Sequence, residues 1–291
     1  MTAAANIEAS KTEREENFPV ASLLITPRLR GPILSFYRFA RAADDIADHP
    51  KLSEADKLAR LDALEEALLG KSGSAKAALP LRDILAERGL PPTHPLELLI
   101  AFRADVTKRR YADWGELMQY CRYSAMPVGR FVLDLHGEDR ATWTYSDPLC
   151  AALQVINHMQ DCAKDYRALD RVYLPRDMLQ AQGARVEELG AAKASPQLRA
   201  CLGEIAEKTS QLMPEAAKLP RSVQDARLGL ETGVMVRLAQ KLITLLLERD
   251  PLSERVHLTK PEVLLQSLWG AGGTIAARLF NPPGWLRPQQ P

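Results

Sequence analysis

Two short clusters of aspartate lie more than a hundred residues apart in the chain. Asp44 and Asp48 form one pair, Asp161 and Asp165 form the other, and both pairs have the spacing i, i+4. On a helix this spacing places both carboxylates on one face, where their like charges repel each other. Carboxylate oxygens are the protein ligands that Mg²⁺ prefers, and Mg²⁺ commonly shares them with phosphate groups. Two such faces turned toward each other would therefore hold a magnesium–diphosphate group.

Each pair is extended along its helix by further polar side chains at helical spacing. Tyr37 and Arg41 precede the first pair, and Gln154 and Asn157 precede the second. Apolar residues flank both stripes, which is the reverse of a surface helix. A single aspartate pair is more often a solvated helix face. Two pairs of this kind favour a metal site in an internal cavity, because buried carboxylates without a cation are unfavourable.

Other candidate residues have competing interpretations. Arg171 could contact a phosphate, although capping of a helix C-terminus is the stronger alternative. Tyr120 could line a ligand pocket or lie in the core, and the sequence does not separate the two. His136 and His158 lack the spacing of metal ligands and are predicted to be structural or solvated. Cys162 is predicted to be a small core residue.

Overall composition excludes several classes of protein. The chain has 291 residues, of which 46% are hydrophobic and 26% charged, and its net charge is +1, so nothing indicates a nucleic-acid partner. The four cysteines have no CxxC spacing and are predicted to be reduced thiols. No targeting segment is visible, and the apolar run 242–247 is too short to span a bilayer. We expect a cytoplasmic protein, with peripheral contact at the inner face of the membrane left open.

The elements that position the aspartates are predicted to be helices in a single all-α domain. The predicted helices span residues 29–48, 53–69, 75–88, 95–111, 113–122, 127–136, 146–166, 197–217, 223–249 and 260–280. Helix starts are predicted at Ser53, Asp113 and Ser146, and helix stops at Gly70, Gly89 and Gly137. Pro127 should kink or divide the helix that carries Tyr120. The domain is predicted to span 17–280, with disorder at 1–16 and in the proline-rich tail 281–291.

Three ordered strings resemble the motifs of the squalene and phytoene synthase family. Residues 41–48 resemble its first aspartate-rich motif, 120–129 its central tyrosine motif, and 154–165 its second aspartate-rich motif, with 171–175 as the exit. The resemblance covers about 17–255. It implies a class I isoprenoid synthase fold, a helical bundle around a central cavity in which aspartates hold Mg²⁺ and a diphosphate.

The resemblance also implies roles for individual residues. The implied metal-binding residues are Asp44, Asp45, Asp48, Asn157, Asp161 and Asp165. The implied contacts to substrate are Phe18, Val20, Tyr37, Gln154, Asn157, Arg171, Tyr173 and Arg255, of which Phe18 and Val20 would line a hydrocarbon channel. Arg41 and Tyr120 join the four outer aspartates as implied catalytic residues. Aromatic rings such as Phe18, Phe36 or Tyr120 would stabilise a carbocation.

Within the family, residues 16–22, residues 124–130 and Gln160 resemble the bacterial branch that makes hydroxysqualene for hopanoid biosynthesis. The implied substrate is presqualene diphosphate, which would lose diphosphate, rearrange as a carbocation and be captured by water. Coupling to neighbouring enzymes of that pathway is also implied.

Departures from the family pattern leave alternatives open. Gln160 stands where an arginine is common, Lys164 where an acidic residue is common, and Asp170 where a glycine is usual. The less negative second motif favours a substrate with one diphosphate. The alternatives are head-to-head coupling of two prenyl diphosphates, a non-catalytic assembly protein, or a helical interaction module with solvated aspartates.

The C-terminal stretch carries apolar residues that could contact a membrane. They are Leu265, Leu268, Trp269, Leu279, Phe280 and Trp285. Packing of these side chains on the domain is the favoured alternative.

Overall fold

Helices supply the regular structure of this protein. The computed structural model describes residues 24–280, and in that range the elements are helices apart from one isolated parallel bridge between Arg110 and Val172. The predicted all-α fold is therefore confirmed. The predictions for residues 1–16, Phe18, Val20 and the tail 281–291 lie outside the described residues.

Thirteen α-helices, labelled α1 to α13, lie within residues 24–280. They are α1 Pro27–Ala47, α2 Glu54–Leu68, α3 Leu79–Arg88, α4 Thr93–Thr107, α5 Trp114–Ser124, α6 Met126–His136, α7 Trp143–Leu169, α8 Arg176–Ala181, α9 Pro196–Ser210, α10 Met213–Ala216, α11 Leu219–Ser222, α12 Ala226–Glu248 and α13 Lys260–Phe280. Short 3₁₀ turns occur at Lys76–Ala78, Arg140–Thr142 and Val186–Gly190.

Several predicted helix ends are confirmed by their capping geometry. Ser53 accepts a hydrogen bond from the Asp56 amide at 3.1 Å at the start of α2. Gly89 and Gly137 end α3 and α6 with φ of 62° and 74°, the left-handed conformation in which glycine is least strained. Pro127 lies at the start of α6, directly after the break that separates it from α5.

Other predicted boundaries are wrong for identifiable reasons. Ser146 does not start a helix, because α7 already begins at Trp143 and Ser146 is buried within it. The predicted helix 197–217 is divided because Pro214 has no amide hydrogen to donate to the Ser210 carbonyl. The predicted helix 95–111 ends at Thr107, since the backbone beyond it bonds to residues 172–177 instead. Helix α8 was not predicted.

Two hydrophobic clusters meet where the aspartate motifs lie. One cluster contains Phe36 and Phe39 of α1, packed with residues of α2, α3, α4 and α6. The other contains Ile156 of α7, packed with residues of α5, α9 and α12. The first aspartate motif is on a helix of one cluster and the second is on a helix of the other. The boundary between the two clusters is therefore where the motifs approach each other.

The exit from α7 is held by arginines that follow α4. Arg109 Nη1 donates to the Leu169 carbonyl at 3.1 Å, and Arg110 Nη2 donates to Asp170 Oδ1 at 2.6 Å. Asp170 has φ of 50° and is the one non-glycine residue with positive φ within residues 24–280. The glycine expected from the family pattern is thus replaced by an aspartate that keeps the left-handed conformation.

Substitutions at Asp170 should separate backbone strain from the ion pair. D170A should lower the free energy of unfolding by about 1–2 kcal/mol, because alanine is strained at positive φ and the exposed pair with Arg110 is lost. D170G loses the same pair but relieves the strain, so its free energy of unfolding should lie within about 0.5 kcal/mol of the wild type. Urea unfolding of the three proteins measures both values. Equal losses in D170A and D170G would contradict this account.

Candidate active site

The first aspartate motif is organised by one arginine. Arg41 Nη1 lies 3.0 Å from Asp44 Oδ2, and Arg41 Nη2 lies 2.7 Å from Asp45 Oδ1. Asp45 is buried, whereas 34% of the Asp44 side-chain surface is exposed. The helical spacings i, i+3 and i, i+4 allow one guanidinium to hold both carboxylates. Asp44 is therefore held in a fixed position with part of its surface open to a ligand.

The Asp44 carboxylate is electrostatically unfavourable as it stands. Its pKa is raised to about 7, mainly by burial. The neighbouring Asp48 also raises this pKa, by more than Arg41 lowers it. Asp105 and Asp45 contribute in the same direction. A divalent cation would reverse this balance by favouring the ionised form.

The second aspartate motif lies within the electric field of the first. The pKa of Asp165 is raised to about 7, mainly by burial. The negative charge of Asp161 also raises it, and that of Asp48 does so more weakly. Lys164 and Arg171 act in the opposite direction. Since Asp48 ends α1 and Asp165 lies on α7, the two motifs face each other across the boundary between the clusters. The predicted approach of the two motifs is thus seen for Asp48 and Asp165, while the roles of these carboxylates as metal ligands stay a prediction.

Arg171 connects the two motifs. Its guanidinium is buried, and Nη2 lies 2.8 Å from Asp48 Oδ1. Its Nη1 also donates to Tyr173 Oη at 3.4 Å. Arg171 does not cap the C-terminus of α7, because Arg109 and Arg110 donate to the carbonyls at that end.

A buried carboxylate that the sequence interpretation missed lies behind these groups. Asp105 on α4 is 4% exposed, and it accepts hydrogen bonds from Tyr120 Oη at 2.7 Å and from Tyr173 Oη at 2.9 Å. Burial raises the pKa of Asp105 to about 6, and Arg171 is the strongest of the groups that oppose this rise. Asp105 thus tethers both motif tyrosines and shares Arg171 with Asp48.

His158 belongs to the same buried group. Its ring stacks on Tyr173 with centroids 3.5 Å apart, and its Nε2 lies 3.1 Å from Gln154 Nε2. Burial, followed by the charge of Arg171, lowers the pKa of His158 to about 3, so the ring is neutral at physiological pH. Of the two earlier interpretations, the structural one is correct for His158.

The remaining predicted residues differ in how deeply they are buried. Tyr37 and Asn157 are partly buried on α1 and α7. Arg255 is exposed, on a segment held by the hydrogen bond from Gln160 to the Val256 carbonyl. Phe36 stacks on Phe131 inside the core with ring centroids 4.1 Å apart, which accounts for its apolar position.

The donor set fits a cation that takes part of its coordination from a ligand. Within residues 24–280, no three His, Cys, Asp or Glu side chains lie close enough together to form a metal centre alone. The negative charge of Asp48 in the first motif nonetheless raises the pKa of Asp165 in the second. Mg²⁺ is commonly held by one or two carboxylates and by phosphate oxygens and water. The arrangement fits that mode of binding better than a site built wholly from protein ligands.

Comparisons with known proteins bear on this site. A model of the Squalene/phytoene synthase family matches residues 12–262. The chain belongs to this family. Family members act on prenyl diphosphates and generally use a divalent metal. The predicted family, the all-α isoprenoid synthase fold and the assignment as an enzyme are thereby confirmed.

Two relatives match nearly the whole chain. Hydroxysqualene synthase of Rhodopseudomonas palustris is 54% identical over 281 residues, which cover 97% of this chain and 96% of the relative. Hydroxysqualene synthase of Zymomonas mobilis is 48% identical over 280 residues, which cover 96% of this chain and 93% of the relative. These relatives place the chain among the enzymes that process prenyl diphosphates in the squalene pathway.

Solved structures show the same architecture. Squalene synthase HpnC from Alicyclobacillus acidocaldarius superposes with a TM-score of 0.64 at 32% identity, covering 90% of this chain and 87% of that one. A dehydrosqualene synthase in complex with a ligand gives a TM-score of 0.76 at 17% identity, covering 87% and 89%, and shows the fold alone.

Proposed function

We propose that this enzyme converts presqualene diphosphate into hydroxysqualene with Mg²⁺ as its cofactor. The observation that carries the proposal is the position of Asp48, which contacts Arg171 and raises the pKa of Asp165 on the opposite helix. This arrangement gathers carboxylates and arginines from two distant motifs around one polar centre. The similarity to hydroxysqualene synthases over nearly the full length supports the choice of substrate within the family.

The polar centre would bind the diphosphate. Asp44, Asp48, Asp161 and Asp165 would hold the metal, with Asp45 and Asn157 as further contacts. Bound Mg²⁺ would neutralise the negative charge that develops on the departing diphosphate. Arg41 adds positive charge, and its bonds to Asp44 and Asp45 orient it before the substrate arrives. Gln154, Tyr37, Tyr173 and Arg255 complete the proposed substrate contacts.

The reaction needs no side-chain base to begin. The carbon–oxygen bond to the diphosphate breaks, and its electron pair leaves with the diphosphate. The carbocation rearranges and is captured by the oxygen of a water molecule, which gives up a proton to the released diphosphate or to solvent. The protein must therefore stabilise the leaving group and delay water until the rearrangement is complete.

Neutral aromatic side chains beside the polar centre suit a carbocation. Burial, and then the charge of Asp105, raises the pKa of Tyr120 well above its usual range, so its phenol remains protonated. The pKa of Tyr173 is raised for the same reasons, and the His158 ring stays neutral. The rings add no positive charge that would repel the cation, and their faces attract it.

The charge of the second motif favours a substrate with one diphosphate. Lys164 is exposed and lowers the pKa of Asp165, so its positive charge offsets part of the negative charge of this motif. A motif with less negative charge would bind fewer Mg²⁺ ions and neutralise less diphosphate. This favours presqualene diphosphate over the coupling of two allylic diphosphates, which remains the alternative activity.

Product analysis with the purified protein tests the proposal. With presqualene diphosphate and Mg²⁺, mass spectrometry should show hydroxysqualene and an equal amount of inorganic diphosphate. EDTA should abolish both products, and excess Mg²⁺ should restore them, because the carboxylates cannot neutralise the leaving group without a cation. Efficient coupling of farnesyl diphosphate supplied alone would overturn the assignment in favour of a prenyl-coupling synthase.

A further inference from the structure

Helix α13 presents a row of large apolar side chains to the exterior. Leu264, Leu268 and Leu279 are 63%, 64% and 73% exposed, and Phe280 at the helix end is 82% exposed. Leu265, Trp269 and Ile275 are also exposed, so the predicted packing on the domain is wrong for the members of this stretch that lie within residues 24–280. No charged residue occurs between Glu262 and Arg278. The exposed surface of α13 is thus apolar along most of its length.

The same helix uses its small and polar residues to contact the protein. Gln266, Gly270 and Thr274 are buried, and Gln266 accepts a hydrogen bond from Arg237 on α12. A Cβ at Gly270 would lie 2.7 Å from the Gly233 carbonyl oxygen, so the two helices cross in close backbone contact. A surface helix of a soluble domain usually buries its large apolar residues and exposes polar ones. Helix α13 does the reverse, which marks its outer face as an interaction surface.

The charges near the start of α13 suit an anionic surface. Lys260 lies in the first turn, and Arg249 and Lys241 are close enough to Glu262 to lower its pKa, after its hydrogen bonds to Thr259. Arg278 in the last turn donates to the Pro220 and Val223 carbonyls and is directed toward the domain. The cations near the start of α13, Lys241, Arg249 and Lys260, would pair with anionic lipid headgroups. The sequence that follows α13, 281–291, contains Arg287 and no acidic residue.

We propose that the outer face of α13, defined as Leu264, Leu265, Leu268, Trp269, Ile275 and Leu279, docks on an anionic lipid bilayer. The choice of a bilayer rests on the proposed function, since substrate and product both carry a thirty-carbon hydrocarbon that is nearly insoluble in water. No helix within residues 24–280 is long and apolar enough to cross a membrane. In the proposed complex α13 lies along the bilayer surface with its apolar face toward the lipid. The exposed Trp269 suits the interfacial region, where tryptophan is enriched.

Flotation of the full-length chain with lipid vesicles tests this proposal without substrate. The wild type should float with mixed vesicles of phosphatidylcholine and phosphatidylglycerol, and more weakly with phosphatidylcholine alone. L264E/L268E should reduce the bound fraction by about tenfold or more, because two carboxylates replace inserted apolar groups. The matched control is I100E on α4, another exposed apolar residue, which should bind as the wild type does. Turnover in detergent micelles should be unchanged in both variants.

Three results would overturn the proposal. The first is a wild-type protein that does not float with anionic vesicles. The second is a shift from dimer to monomer in L264E/L268E, measured by light scattering without lipid, which would show that a second copy covers the face. The third is a lower melting temperature in L264E/L268E than in I100E, which would show that another segment of the chain covers it. A protein that floats as expected but makes no hydroxysqualene would instead refute the proposed function alone.

Discussion

Replacing Asp44 with asparagine should reduce turnover of presqualene diphosphate on the order of 10³-fold, because one of the carboxylates proposed to bind the metal is lost. The same substitution should raise the melting temperature of the metal-free protein by a few degrees at pH 8. Asp44 is surrounded by Asp48, Asp105 and Asp45, and its pKa of about 7 shows that its ionised form is unfavourable in the folded chain. Asparagine keeps the shape and removes the charge. Loss of activity together with a gain in stability is the signature of a site that needs a cation.

The stabilisation in D44N should depend on pH with a defined sign. In the folded protein Asp44 binds its proton up to about pH 7, whereas in the unfolded chain it loses the proton near its ordinary pKa of 3.8. The folded state therefore binds more protons between these values, and the contribution of this group to stability falls as pH rises through that window. The gain in D44N should be small near pH 4 and full above pH 7.

Thermal unfolding in EDTA at several pH values measures this dependence, and steady-state assays with Mg²⁺ measure turnover. The matched control is D83N on α3, since Asp83 is exposed and pairs with Arg82. D83N should leave turnover and the pH dependence unchanged. A D44N protein that keeps more than a tenth of wild-type turnover would show that Asp44 is not part of the metal site.

Replacing Asp105 with asparagine should both destabilise the protein and increase its requirement for Mg²⁺. Tyr120 and Tyr173 donate to different oxygens of the Asp105 carboxylate, and the amide nitrogen that replaces one of these oxygens in asparagine cannot accept a hydrogen bond. It also removes a buried negative charge that Arg171 partly neutralises. We expect a loss of about 2–4 kcal/mol in the free energy of unfolding.

The effect on magnesium follows from the position of Arg171 between two carboxylates. Without Asp105, the positive charge of Arg171 is offset by fewer carboxylates, so it acts more strongly on Asp48 and makes that carboxylate a poorer metal ligand. The Mg²⁺ concentration for half-maximal turnover should therefore rise about tenfold or more. Titration of D105N with Mg²⁺ at saturating substrate, on protein shown to be folded by circular dichroism, measures this value. Asp105 acts here as a positioning residue.

A second buried carboxylate provides the control for D105N. Glu138 is buried and accepts hydrogen bonds from the amides of Gln224 and Asp225, away from the aspartate motifs. E138Q should destabilise the protein to a similar extent but leave its Mg²⁺ requirement unchanged. If D105N and E138Q both lose stability with the same Mg²⁺ dependence as the wild type, Asp105 has only a structural role.

Helix positions in this protein are readable from sequence wherever the deciding interaction is local. Ser53 as an N-cap and Gly89 as a left-handed C-cap depend on groups within four residues, and both predictions are confirmed. The end of α4 depends on distant partners. Residues 109–112 bond to the segment after α7, and this pairing ends α4 four residues before the predicted boundary.

The candidate site divides in the same way. The placement of Asp44 and Asp48 on one helix face, and of Asp161 and Asp165 on another, follows from helical periodicity. The role of Asp105 could not be predicted, because its partners Tyr120 and Tyr173 lie 15 and 68 residues away in sequence.

The sequence by itself determined that the chain is helical, which faces carry the aspartates, and which enzyme family the motifs resemble, because these depend on spacing and residue type. Only the tertiary structure decided that Asp48 pairs with Arg171 and that Asp105 accepts hydrogen bonds from Tyr120 and Tyr173. It also decided that α13 exposes its large apolar residues. These outcomes depend on how separate helices pack. The free energy of packing comes from many small contacts between residues remote in sequence, which no local pattern records.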